Sequence, residues 1–190
     1  MKCDVILSGV GGQGVLSVAA IIAQAAVSEG LQVHQSEVHG MAQRGGAVLA
    51  HLRIAKEIIY SDLVPKGGAQ IILSMEPLES LRYASWLSPE GALVTSADPL
   101  VNIPNYPDIN VIIENIKKFP VQKIVSAAAL AKEAGLAKSV NMVMVGAASA
   151  FLPVKTDTLE ATIREMFGGK YASTVDANIR AFNLGRNAAK

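Results

Sequence analysis

Cysteine is nearly missing: Cys3 stands alone among 190 residues. One thiol excludes an internal disulfide and suits a reducing compartment. It also excludes a cysteine-ligated iron–sulfur cluster held by this chain alone. Charge is scarce, at 17% of residues against 51% apolar, and the net charge of +1 comes from dispersed basic residues. Without a basic stripe, nothing points to nucleic acid or a membrane surface. Three familiar catalytic signatures are absent: no Walker-A lysine follows a glycine loop, there is no G-x-S-x-G elbow, and there is no C-x-x-C. Gly-Asp-Gly, which opens the metal and diphosphate motif of thiamine enzymes, does not occur either. His34 and His51 lie within strand patterns at no metal-ligand spacing, so they read as structural and no metal site is expected. Long apolar spans are lacking too. The uncharged stretch 140–154 contains Asn141, Gly146 and Pro153 and is too short for a bilayer. Asp4 interrupts the first apolar run and a glycine loop follows at once, so no secretory leader is expected. The composition predicts one globular, cytoplasmic domain over 1–190, with enough apolar excess to share surface with another chain.

What is present is concentrated in two glycine-rich stretches. Gly9, Gly11 and Gly14 take the G-x-G-x-x-G spacing between an apolar strand and an apolar helix, with Gly12 and Gln13 inside the motif. Glycines there permit a tight turn and a close backbone approach to an anion, which the helix N-terminus can bind through its free N–H groups. The same spacing also serves as a plain strand–helix turn that binds nothing. A nucleotide reading draws on Glu37, roughly 20 residues past the motif, where an acid would hold a ribose hydroxyl. The second stretch follows directly and carries His39, Gln43, Arg44, Gly45 and Gly46, a density that suits a rigid polar surface more than an adenosine groove. Arg44 is the strongest anion contact, because guanidinium pairs bidentately with carboxylate or phosphate and the flanking glycines admit a close approach. A solvated loop arginine is the plain alternative. His39 is a candidate donor or acid–base group, or a histidine hydrogen-bonded within a loop. No residue is marked out as catalytic.

Strand and helix signals alternate, which predicts an α/β fold: a single-domain, Rossmann-like sheet with mixed strands flanked by helices. Strands are expected over 3–8, 31–38, 70–74, 91–96 and 121–125. A hairpin is expected from 47–54 and 57–61, turning near Ala55 and Lys56. The first helix, over 13–28, is apolar nearly all round and therefore buried on more than one side. Further helices are expected from Pro77, over 109–119, 126–135 and 141–151, from a capping-box-like Asp157-x-x-Glu160, and from Thr174 with Val175, Ile179 and Phe182 inward. Pro99, Pro104 and Pro107 mark 98–108 as a surface loop.

The run Gly9 to Val15, followed by Ser36 to Gly46, resembles the small, γ-type subunit of 2-oxoacid:ferredoxin oxidoreductases. Within that family it is most similar to the β subunit of the indolepyruvate branch. The likeness extends to Tyr60 and Ser61, to Met75-Glu76-Pro77-Leu78-Glu79 and to Ala181-Phe182-Asn183-Leu184-Gly185-Arg186. The glycine motif is common to the superfamily, whereas the run Glu37 to Gly46 is specific to the branch. The resemblance implies a subunit of an enzyme that oxidatively decarboxylates an aryl-pyruvate to an acyl-coenzyme A and passes electrons to ferredoxin. It implies a large partner subunit holding thiamine diphosphate, Mg²⁺ and [4Fe-4S] clusters, with no cofactor in this chain. The glycine loops would then lie toward the partner's active-site cavity, and the resemblance leaves open whether they touch substrate, coenzyme A or only the partner. A subunit for pyruvate or 2-oxoglutarate, or a free-standing NAD-dependent dehydrogenase, are the alternative readings.

Overall fold

A computed structural model of the chain describes residues 1–39, 45–169 and 172–190. The central strand, β1 (Lys2–Val10), is buried from Cys3 onward because it is covered on both faces. Val5 and Leu7 enter one apolar layer and Ile6 enters the other. Such two-sided burial explains why the run is apolar throughout rather than alternating. The helix α1 (Val15–Ser28) leads to β2 (Gln32–His39), and β3 (Ala47–Ala55) returns beside it. Next come β4 (Ala69–Ser74), α2 (Pro77–Arg82) and β5 (Leu87–Ser96). Then α3 (Ile109–Ile116), β6 (Val121–Val125) and four helices complete the chain: α4 (Ala127–Glu133), α5 (Val140–Ala148), α6 (Thr156–Phe167) and α7 (Val175–Ala188). No helix among the described residues is long and apolar enough to cross a membrane.

The six strands form one sheet in the order β2-β3-β1-β4-β5-β6. Strands β1, β4, β5 and β6 are parallel, while β3 runs antiparallel to both β1 and β2. This is the mixed α/β sheet expected, but the hairpin is elsewhere. Strand β3 matches the expected 47–54; residues 57–61 form no strand, and β3 pairs instead with β2, across the second glycine stretch. The reason lies in a buried ion pair. Asp4, fully buried on β1, takes two hydrogen bonds from Arg53 at 2.9 and 3.1 Å. Arg53 in turn donates to the carbonyls of Ser61 and Leu63 at 2.8 and 3.2 Å. The connection after β3 is thereby folded onto the sheet face rather than paired along its edge. His51 completes the attachment by accepting the Val64 N–H on Nδ1 at 3.1 Å.

Helices α1, α4, α5, α6 and α7 cover one face, and α2, α3 and the Val64 segment cover the other. Buried faces of α1 meet β3 on one side and α5 and α6 on the other, as its all-round apolarity predicts. Helix α6 starts at Thr156 with Lys155 in the cap position, so Asp157 lies in the first turn and is not a capping-box residue. Glu29 takes over that role from the end of α1, accepting the Lys155 N–H at 2.9 Å and a Thr158 hydrogen bond that draws its carboxyl below the usual range. Glu160 instead receives a hydrogen bond from Asn183 of α7 at 3.0 Å. Other element ends differ from expectation by a few residues, as helix and strand ends commonly do.

The tightest contact is between α5 and α7. A Cβ placed on Gly185 would stand 1.9 Å from the Val143 carbonyl oxygen, and one on Gly146 would stand 1.9 Å from that of Phe182. The two backbones touch through facing glycines, and a methyl group can be admitted only by separating the helices. Gly185→Ala gains about 1 kcal/mol in helix propensity. The overlap costs more, typically about 1–3 kcal/mol and here against backbone on both sides. A net drop of several degrees in thermal midpoint is expected for Gly185→Ala and for Gly146→Ala; an unchanged midpoint would mean that the helices part freely.

Burial, with Arg53 on the same strand, pushes the His51 pKa below its ordinary 6.5. The folded chain then binds fewer protons than the unfolded chain, so this contribution is intact above about pH 6.5 and is lost as pH falls toward the depressed native value. Urea midpoints at pH 7.5 and 5.5 should fall more steeply for the natural chain than for His51→Gln, whose amide oxygen still accepts the Val64 N–H. Equal slopes would remove His51 as the source.

Candidate functional site

The strand ends that matter are the carboxyl ends of β1, β4 and β5. Helix α1 leaves β1 on one face and α2 follows β4 on the opposite face, so the chain switches direction between these two neighbouring strands. Open α/β sheets bind ligands outside the strand ends at such a point. A cleft of ≈ 560 Å³ opens there, lined by Gly12, Gln13, Met75, Ser96, Asp98 and Lys138 among others.

Its wall begins with the first glycine motif. Gly14 closes the turn in the left-handed conformation, φ 82°, and is the residue from which α1 starts without a side-chain cap. A side chain there would be strained, and its Cβ would come 3.3 Å from Asn141. Gln13 fastens the turn from within: Oε1 accepts the Val10 N–H at 2.8 Å, and Nε2 donates to the Met75 carbonyl at 3.3 Å. The loops after β1 and β4 are thus tied together by one side chain.

The second glycine stretch is bonded to the first. The Gly11 N–H donates to the Gly46 carbonyl at 2.8 Å, and the Gly45 N–H donates to the Gly11 carbonyl at 3.2 Å. Gly9 is buried beneath this pairing, with Val15, Gln13 and Met75 against it. Of the sequence-derived candidates, Gly9, Gly11, Gly12, Gln13, Gly14, Gly45 and Gly46 come together. Gln43 and Arg44 lie outside the described residues. His39 ends β2, and only its backbone is described. Glu37 is not part of the group. It is exposed beside Gln35 on the edge strand, and β3 separates it from β1. Two strand spacings, about 10 Å, replace the single spacing of a dinucleotide fold.

The opposite rim comes from the proline-bearing loop, which the sequence marks only as surface. Asp98 accepts the Ser96 hydroxyl at 2.9 Å and the Ala128 N–H at 2.7 Å, closing off the start of α4. Glu76, 1% exposed, caps α2 through the Glu79 N–H and also receives the Leu100 N–H and the Tyr106 hydroxyl. Burial, together with that carboxylate, holds the Tyr106 hydroxyl well above the usual tyrosine pKa. Burial also raises Glu79, opposed by Arg82. Asn102 then reaches across to the Gly45 carbonyl at 2.8 Å. Sequence reading missed Glu76, Asp98, Asn102 and Lys138 as parts of the site. Met75-Glu76-Pro77 stands out as a motif in the sequence, but only the fold brings it beside the glycine turn.

Cys3, the chain's one thiol, is buried on β1, where burial pushes its pKa up to about 12, far from an available thiolate. Among the described residues no group of three His, Cys, Asp or Glu side chains could hold an ion.

The family described as pyruvate ferredoxin/flavodoxin oxidoreductase matches residues 4–188. An indolepyruvate oxidoreductase subunit IorB of Archaeoglobus fulgidus is 35% identical over 100% of this chain and 96% of its own length. The IorB subunit of Thermococcus kodakarensis is 36% identical over 98% of this chain and 96% of its own. Among solved structures, the 2-oxoglutarate:ferredoxin oxidoreductase of Magnetococcus marinus, with 2-oxoglutarate, coenzyme A and succinyl-CoA bound, superposes with a TM-score of 0.78 at 22% identity. That match covers 99% of this chain and 31% of the larger one.

Gln13→Ala would leave the Val10 N–H and the Met75 carbonyl without partners, at about 1–2 kcal/mol of stability. Denaturant titration should show the loss without a change of slope. An unaltered midpoint would mean that water replaces both bonds at no cost.

Proposed function

We propose that this chain, which belongs to the pyruvate ferredoxin/flavodoxin oxidoreductase family, is the small subunit of an indolepyruvate-type 2-oxoacid:ferredoxin oxidoreductase. The observation that carries the reading is full-length similarity to the IorB subunits, together with a glycine platform whose described residues pair through backbone hydrogen bonds. The chain, read as a single domain over 1–190, works in the cytoplasm and completes a cavity whose chemistry is supplied elsewhere. Thiamine diphosphate, Mg²⁺ and [4Fe-4S] clusters belong to the large partner subunit, and ferredoxin is reached through the complex.

The paired glycine loops face that partner, and His39, Gln43 and Arg44, from the same stretch of sequence, with Glu37 before them, are proposed to take part in that contact. Supporting this, Leu16, at the start of α1, and Val101 and Ile103, in the rim loop, are exposed apolar residues around the platform. An apolar rim around paired backbone suits a protein interface. The cleft suits an anionic substrate or co-substrate: Lys138 lines it with a positive charge, and Asp98, the acid in the same lining, is engaged by the Ser96 hydroxyl and the Ala128 N–H. Coenzyme A fits that chemical class and is bound in the Magnetococcus enzyme. NAD does not suit the site, because Gly46 occupies the Gly11 N–H and Glu37 is a strand too far away.

Anaerobic reconstitution with the large subunit tests the assignment. Coenzyme-A-dependent dye reduction should be seen with indolepyruvate, and the small subunit alone should be colourless and inactive. Preference for pyruvate or 2-oxoglutarate would move it to a sister branch, and micromolar NAD binding by the isolated chain would replace the reading with a dehydrogenase. Arg44→Ala should lower turnover about tenfold or more, the worth of one charge-assisted contact, without altering the fold. Arg44→Lys should restore part of it, since ammonium lacks the bidentate fork. Full activity of Arg44→Ala would reduce the residue to a solvated loop cation.

A further inference from the structure

We infer that Glu76 is the positioning residue of this site, a buried carboxylate that holds the second glycine loop against the first by way of the rim loop; the inference rests on the platform being the functional face. A carboxylate that only capped α2 would need one oxygen. Oε2 fills that role, accepting the Glu79 N–H at 2.8 Å. The other oxygen, Oε1, is engaged elsewhere, accepting both the Leu100 N–H, at 3.3 Å, and the Tyr106 hydroxyl. One atom therefore closes a loop whose residues 101–105 are exposed. Glu76 is itself fixed, since the Ser74 hydroxyl donates to its carbonyl at 2.6 Å and accepts its N–H at 3.3 Å.

From the pinched loop, Asn102 Nδ2 donates to the Gly45 carbonyl at 2.8 Å. Gly45 and Gly46 then make the two backbone bonds to Gly11. The connection runs from a carboxylate rooted under β4, through an exposed loop, to the turn after β1. Removing Asn102 takes away the side-chain brace on Gly45 and leaves, among the described residues, the two backbone bonds to Gly11.

The carboxylate cannot be exchanged for its isostere. Glu76 faces N–H donors on both of its oxygens, and an amide has a single acceptor atom. Whichever way the replacement amide turned, its NH₂ would meet an N–H, either that of Glu79 or that of Leu100. Glu76→Gln is therefore a change of almost no volume that has to release one side.

Amide hydrogen exchange on the full-length chain reads the result at Gly11 and Gly45. For Asn102→Ala, whose side chain is exposed and outside the core, exchange at both amides should rise about tenfold, the equivalent of one hydrogen bond. Tyr106→Phe and Glu76→Gln should do the same, while Ile6 and Ile72 in the central strands stay protected. Unchanged protection at Gly11 and Gly45 in Asn102→Ala and Tyr106→Phe would overturn the inference, leaving Glu76 as a helix cap; these two variants decide the matter if Glu76→Gln does not fold. In the reconstituted complex, kcat/KM should fall in both Asn102→Ala and Glu76→Gln, and the double variant should be no worse than the more impaired single one. Faster exchange with undiminished turnover would uphold the positioning role and refute the platform's part in the reaction.

Discussion

Two backbone hydrogen bonds between Gly11 and the pair Gly45-Gly46 set the character of this molecule. They use the very N–H that a phosphate would need in a dinucleotide fold, and they bring a second loop to where the pyrophosphate would lie. Their origin is topological. Strand β3 enters antiparallel between β1 and β2, so Val10 stands opposite Ala47 and the residues just before β3 arrive beside those just after β1. A parallel β2 next to β1 would have left that position open. The single inserted strand turns a nucleotide-binding turn into half of a polar backbone platform.

The rest of the site is arranged around holding that platform still. Gln13 ties it to β4, Asn102 ties it to the rim loop, and Asp98 and Glu76 anchor the rim loop to α4 and α2. Carboxylates that might be read as catalytic are thus engaged with N–H donors. Among the described residues, the platform's hydrogen bonds between the two glycine stretches are made by backbone, which offers direction and close approach. Such a surface suits a subunit that shapes and closes another chain's cavity.

Stability comes from the other end of the architecture. The α5–α7 crossing, with backbone against backbone, locks the helical layer over β1, β4 and β5. The Asp4–Arg53 pair fastens the opposite face at the amino ends of the parallel strands. A buried pair of this kind is costly to break and specifies one arrangement of the chain leaving β3.

Local sequence determined a good deal. Apolar runs separated by glycine and proline fixed the α/β class and most elements, because strand and helix periods are properties of a short stretch. The motif Gly9 to Gly14 announced a strand–turn–helix, and the run to Gly46 announced a special loop. Pairing was beyond its reach. The residues after Ala55 have strand-like side chains, and Arg53, satisfied by Asp4 from another strand, together with His51 holds the segment across the face. Glu37 had the right spacing for a ribose, yet spacing along a chain carries no information about which strand is inserted beside it. Glu76 stood out only as one letter of the Met75 to Glu79 motif; its second oxygen acquires meaning from donors at Leu100 and Tyr106, far along the sequence. Gly185 was one letter in a closing motif until α5 was set against it. In each case what decided was a contact between distant segments, and such contacts are fixed by the sheet order and the helix crossings rather than by any local preference.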